Sequence, residues 1–224
     1  MIAIKKLPKP QILLENEEKW TKEYLEKIKE NNTQNKEFTM RYNNPEIKSQ
    51  LEIETYGKCA YCESKLKHIT YGDIEHILPK NKEARPDLYV NWDNLTLACE
   101  QCNRSGKQSY YNENLLLINP YKDIIENHLN DIGEFIYPVL NDERAEVTII
   151  TLNLNRPDLL ERRLDRIKQV DILLKSWASQ QNQTIKKELE HQLHLEYGAD
   201  KEYSSTVKAF LEARGFPVQS PSHS

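Results

Sequence analysis

"NLTLACEQCNRSGK", residues 94–107, decides how the chain is read. Cys99 and Cys102 flank two residues, a spacing that puts two thiolates on one tight knuckle. A second pair, Cys59 and Cys62, lies in "GKCAYCESKL" (57–66), and thirty-six residues separate the two pairs. Together they complete a tetrahedral all-thiolate shell, which suits Zn²⁺. Four thiolates leave no open position for water, so the pattern predicts a structural zinc, and any chemistry lies elsewhere. The alternative is a redox dithiol, but the strand–helix–strand context of such motifs is missing here.

The segment between the knuckles carries "GDIEHILPK" (72–80), where Glu75 precedes His76 and Pro79 follows. "GDIEHIL" and "NLTLAC" read as two short antiparallel strands, with turn-rich sequence between them and a short helix beginning near Cys102. The Glu75–His76 pair, Asn94, the flanking CxxC pairs and the polar Asn103 directly after the last cysteine resemble the HNH endonucleases of the ββα-metal class. The likeness is closer still to the PtuB-like HNH proteins of Septu and retron-associated anti-phage systems. "IKKLPKP" (4–10), "LLLINPY" (115–121) and "TIITLNLNRPDLLERR" (148–163) add to it. It covers much of residues 1–165 and is most specific over 58–121.

The resemblance implies an α+β, mostly helical fold. A ββα-metal HNH core with a four-cysteine zinc site is flanked by N- and C-terminal helices. It implies hydrolysis of phosphodiester bonds, which needs an activated water and relief of charge on the phosphate and leaving oxygen. His76 suits the general base, because an imidazole is available in neutral form near pH 7. Glu75 and Asn103 offer hard oxygen donors that suit catalytic Mg²⁺ or Mn²⁺. Asp73 shares a strand face with Glu75 and is the rival ligand. Asn94 is expected to hydrogen-bond backbone near the hairpin and hold the loop that orients His76. Lys107 and Arg104 are placed to reach phosphate, with Lys80 and Arg85 as weaker candidates. Many HNH proteins carry histidine where this chain has Asn103, which shifts the expected preference toward a hard ion.

The partners implied are nucleic acid (DNA or RNA) as substrate, a PtuA-like ATPase and, in retron versions, a reverse transcriptase with its RNA–DNA product. Two other classes are open. One is a non-catalytic zinc-dependent nucleic-acid-binding module. The other is an interaction subunit that docks an enzyme.

Composition narrows the surroundings of this core. The 224 residues carry 31 Lys+Arg against 35 Asp+Glu, a formal charge of −4, which argues against sequence-independent binding of nucleic acid by the whole surface. No secretory or membrane-spanning run is visible, so a cytoplasmic location without membrane contact is expected. Six glycines disfavour an extensive all-β fold.

Three regions follow. Residues 1–57 form an arm and helices, near 15–30 and from Pro45 to Gly57. Residues 58–121 form the nuclease core with its zinc site. Residues 122–224 form a helical region expected to dock a partner. There, 147–152 reads as a strand, "NRPD" starts a helix with Leu160, Leu164, Ile167, Leu174 and Trp177 along one face, and two further helices cover 183–197 and 202–214. His68 is read as structural or surface, His128 as lacking a partner pattern, His191 and His194 as exposed, and Tyr89 and Trp92 as packing residues.

Overall fold

The computed structural model describes residues 1–30, 40–66 and 72–218; His68 lies outside them. The fold is mostly helical, with 50% helix and 9% strand.

The N-terminal arm is laid across the segment that carries the two CxxC pairs. Ile4 N donates to Pro120 O at 2.8 Å, and Trp92 Nε1 donates to Leu7 O at 2.7 Å. Lys6 fixes its middle. Its Nζ donates to Glu54 Oε1 and to Leu95 O and sits 3.8 Å above the Trp92 ring, so the ammonium exchanges water for a carboxylate, a carbonyl and a π face. Pro10 ends the arm and caps α1 (Gln11–Lys29), accepting from Leu13 N. Helix α2 (Pro45–Glu54) starts where the Asn44 side chain accepts from Glu46 N with Pro45 at the first turn, the pairing that pre-sets φ and satisfies a free donor.

Strands β1 (Asp73–His76) and β2 (Leu95–Ala98) pair antiparallel, with Glu75 opposite Thr96 and His76 opposite Leu95. A π-helix, Gln101–Lys107, follows, giving the strand–strand–helix order expected of the core. Gly106 lets that helix pack tightly: a Cβ there would lie 2.8 Å from Thr151 O and 2.9 Å from Gln101 O.

Beyond the core lie β3 (Leu129–Ile132) and β4 (Phe135–Pro138), a hairpin turned at Gly133 with φ +60°. Helices α3 (Glu143–Thr151), α4 (Pro157–Ser179), α5 (Gln183–Glu196) and α6 (Ser204–Ala213) complete the chain. The hairpin was not anticipated in a region read as helical. Residues 147–152 fall mainly in α3 and not in a strand. The β-branched run there suggests a strand, but Asp142 caps a helix by accepting from Ala145 N. Ala145, Thr148 and Leu152 are buried at helical spacing, while Ile150 is 76% exposed. On α4 the buried stripe is Leu159, Arg163, Ile167, Val170 and Leu174, one position round from the one through Leu160 and Leu164. Arg163 belongs inside because its guanidinium donates to Glu134 O and lies over the Tyr203 ring, a contact that hydrophobic periodicity cannot register.

One core cluster runs from Met1 to Leu159 and includes Tyr203. A second gathers Val170, Leu174, Leu193, Val207, Leu211 and Phe216 between the last three helices. His194 joins its rim, 2.5 Å from Tyr197 Oη and against the Phe216 ring, so it is half-buried and not on a free helix face. His128 pairs with Asp142 at 2.5 Å. No helix among the described residues is long and apolar enough to cross a membrane.

Candidate active site and metal centre

The four cysteines converge. Cys59, Cys62, Cys99 and Cys102 are buried, with all four sulfurs within 4.8 Å of one another. Cys62 and Cys99 Sγ are 3.8 Å apart, the edge of a tetrahedron with metal–sulfur bonds of about 2.3 Å. The first knuckle is tied to the second strand, since Ala60 N donates to Leu97 O at 2.9 Å. The second closes on itself, with Cys102 N donating to Cys99 Sγ and Asn103 N to Cys99 O. The geometry and donor chemistry fit a tetrahedral metal ion held by protein alone.

Sequence reading missed the residue that faces this cluster. Arg156, buried just before α4, places Nη1 3.7 Å from Cys102 Sγ, and Nη2 3.9 Å from Cys62 Sγ and 4.0 Å from Cys99 Sγ. Burial opposes its charge, but the adjacent sulfurs more than compensate and hold its pKa above the ordinary value. A four-thiolate site with a divalent ion carries two net negative charges, and one guanidinium offsets half of that. In the sequence "NRPD" marks a helix start and part of the family resemblance; no local signal connects it to cysteines more than fifty residues away.

His76 lies at the end of β1 and is 6% exposed. Its Nε2 is 2.8 Å from Tyr89 O. A carbonyl only accepts, so Nε2 carries the proton and Nδ1 is left as the basic nitrogen. Burial and then the Lys80 charge push the imidazole down to about 3, so the ring is neutral at pH 7. Asn94 organises the loop that supplies this carbonyl. Its Oδ1 accepts from Leu78 N at 2.8 Å, and its Nδ2 donates to Leu78 O and Leu88 O. One buried amide thus ties the segment just after His76 to the residue just before Tyr89.

The two carboxylates of β1 have separate partners. Glu75 is buried, with Oε1 2.5 Å from Lys107 Nζ, which also donates to His76 O at 2.7 Å. Burial holds the Glu75 carboxyl above its ordinary range even with Lys107 opposing it. Lys107 is therefore a buried counter-ion here, enclosed away from a solvent-borne phosphate. Asp73 faces a cleft of about 420 Å³ that Tyr42, Lys48, Asn103 and Arg104 also line. Arg104 forks onto Asp73 with bonds of 2.9 and 2.8 Å, and Asn103 Nδ2 is 3.4 Å from Asp73 Oδ2. The structure thus brings Asp73, Asn103 and Arg104 to one wall and puts Glu75 and Lys107 together behind it. Arg85 is engaged with Asp87.

An aromatic cluster from outside the core encloses His76. Tyr42 meets its ring edge-on at 4.6 Å, and Tyr24 of α1 stacks on Tyr89 at 3.9 Å. Neither tyrosine sits in a recognisable catalytic motif: Tyr24 shows only the helical spacing of the first helix, with Trp20, Leu25 and Ile28, and Tyr42 carries no signal. Tyr89 does more than pack, since its carbonyl fixes the imidazole.

A paired hairpin and short helix on a four-cysteine frame, with histidine on the first strand and asparagine at the helix start, define an HNH endonuclease domain. Residues 59–108 match the HNH endonuclease family. The chain belongs to the Septu PtuB family. It is 31% identical over 226 residues to the Septu protein PtuB of Bacillus thuringiensis, covering 94% of this chain and 82% of that protein. The Septu protein PtuB of Bacillus mycoides (strain KBAB4) is 30% identical over 160 residues, 58% of this chain and 54% of that one. A weaker likeness, 27% over 169 residues and 62% of this chain, reaches the Septu protein PtuA of the same strain and spans 23% of it. No solved structure matches.

Proposed function

We propose that the chain is a metal-dependent HNH endonuclease that hydrolyses phosphodiester bonds of DNA or RNA. In this reading it is the cytoplasmic effector nuclease of an anti-phage defence complex with a PtuA-like ATPase. One observation carries the reading: a neutral imidazole, His76, with its tautomer set by Tyr89 O, meets edge-on the ring of Tyr42, which lines the cleft that Asp73 and Asn103 share.

His76 Nδ1 takes a proton from the attacking water. Its pKa is low in the free protein, but a phosphate entering beside it brings negative charge, which raises the basicity of the ring as substrate binds. Asn94 and Tyr89 hold the ring without touching substrate. Asn103 and a β1 carboxylate would hold the divalent cation. Asp73 already shares the wall with Asn103, and Glu75 would exchange Lys107 for the ion. Bound there, Mg²⁺ or Mn²⁺ supplies charge relief to the phosphate and the leaving oxygen. Cys59, Cys62, Cys99 and Cys102 would hold a structural Zn²⁺. Residues 122–224, outside the nuclease motif, are the proposed docking region for the PtuA-like ATPase; the relatives include both a Septu protein PtuB and a Septu protein PtuA.

The direct test incubates the full chain, co-purified with its ATPase, with DNA and RNA in single metals. Cleavage in Mg²⁺ or Mn²⁺ is expected. Cleavage in Zn²⁺ or Ni²⁺ alone overturns the hard-cation assignment. Binding without cutting in every metal favours a non-catalytic module.

Arg156 gives a second expected result. Arg156→Met removes the cation beside three sulfurs at nearly constant volume. Zinc affinity should fall about 10- to 100-fold, the usual cost of losing an outer-shell partner, with Arg156→Lys intermediate. Competition with a chromogenic chelator measures it, and an unchanged affinity shows that the guanidinium is irrelevant to the metal.

A further inference from the structure

Lys80 and Lys107 lie close enough to His76 to act on its charge, Arg104 lines the cleft with Tyr42, and two of these three cations are already committed. Arg104 is forked onto Asp73, and Lys107 is buried on Glu75. Among the described residues, Lys80 makes no direct ion pair; its Nζ lies 5.0 Å from the centroid of the Tyr42 ring. Glu75 attracts it from a distance, but Lys107 holds that carboxylate directly, so the half-buried Lys80 ammonium has a π face and no anion of its own in contact. The same Tyr42 ring meets the His76 imidazole at 4.6 Å with an interplanar angle of 79°. One side chain therefore fixes both the base and the free cation.

Tyr42 is itself held from several sides. The preceding amide, Arg41 N, donates to Tyr89 Oη at 2.8 Å, and the Tyr42 and Tyr89 rings meet edge-on at 5.9 Å. Tyr24 Oη donates to Lys80 O at 3.0 Å, which anchors the backbone carrying the ammonium. Tyr42 also lines the cleft with Asp73 and Asn103. Both tyrosines lie outside residues 59–108, the stretch that matches the HNH family.

We infer that Lys80, seated on the ring of Tyr42, is the phosphate-gripping cation of the site, and that Tyr42 is a positioning residue that sets this cation against the general base. The inference rests on the nuclease reading for the identity of the substrate, a nucleic-acid phosphodiester, but not for the binding it predicts. The N-terminal region thereby completes the active site and is more than an appendage to the motif.

The test is fluorescence-anisotropy binding of a fluorescein-labelled DNA duplex, and of the RNA duplex of the same sequence, by the full chain with and without its ATPase. No Mg²⁺ or Mn²⁺ is added, which prevents metal-dependent cutting while leaving the four-cysteine site loaded, and salt is varied. Lys80→Met should weaken binding and lower the slope of log K against log salt by about one, the signature of one lost phosphate contact. Tyr42→Leu should weaken binding about three- to tenfold, as expected for losing one cation–π seat, and lower the slope as well. Tyr42→Phe keeps the ring and should restore both. If Tyr42→Leu does not fold, Lys80→Met and Tyr42→Phe still decide. A wild-type slope in Lys80→Met, a loss in Tyr42→Phe equal to that in Tyr42→Leu, or no binding of either duplex in any state overturns the inference. If the slopes behave as expected but the wild-type complex never cuts, the phosphate seat stands and the nuclease reading fails.

Discussion

His76→Ala should reduce phosphodiester cleavage by about 10²- to 10⁴-fold, the range supplied by a positioned general base. It should leave the metal content of the four-cysteine site unchanged. The variant also removes a buried ring and strands Tyr89 O without a donor, a loss of about 1–3 kcal/mol. Loss of activity in the alanine variant alone could therefore be confused with loosening of the site. His76→Gln separates the two effects. Its amide N–H can still donate to Tyr89 O, but it has no basic nitrogen. Both variants should be equally inactive, while the glutamine variant melts closer to wild type. Single-turnover cleavage by the complex in Mg²⁺ or Mn²⁺, beside thermal melts and zinc analysis, gives the answer. Wild-type rates in either variant would remove His76 from the chemistry.

Cys99→Ser should cost more stability than any surface change. Structural zinc contributes on the order of 10 kcal/mol to folding where it is bound by four protein ligands, comparable with the whole stability of a domain. In this chain the site joins several parts of one core. The first knuckle bonds β2 through Ala60, the second begins the π-helix, and Arg156 brings in the start of α4. A loss of even about 5 kcal/mol lowers the melting temperature of a protein this size by about 10–20 °C. The variant should purify without stoichiometric zinc and melt early or without a cooperative transition. EDTA treatment of the wild type should reproduce this. A cooperative melt within a few degrees of wild type, with zinc absent, would mean that the cysteines are only packing.

The legibility of the chain follows from the range of its interactions. The two CxxC knuckles, the strand pair and the helix after Cys102 are encoded within a few residues each, so spacing and alternation reveal them. The helix starts at Pro45 and Pro157 are similarly local. Residues 147–152 form helix and not the expected strand because the cap at Asp142 and the buried helical spacing of Ala145, Thr148 and Leu152 outweigh the β-branched composition of the run. The α4 stripe is shifted because an arginine that donates from one nitrogen to Glu134 O and lies over the Tyr203 ring can be a core residue.

By itself, the sequence determined the HNH class, the four cysteines that can hold a metal and the set of side chains from which the proposed site is drawn. The reason is that metal knuckles and hairpins restrict residue type at fixed short separations. Only the tertiary structure decided how that set is partitioned. It put Lys107 on Glu75, Arg104 on Asp73, Arg156 against the cysteines, and Tyr42 between His76 and Lys80. Those choices depend on which cation comes nearest to which anion or ring once distant segments pack. That is a property of the folded geometry, and no local pattern in the chain records it.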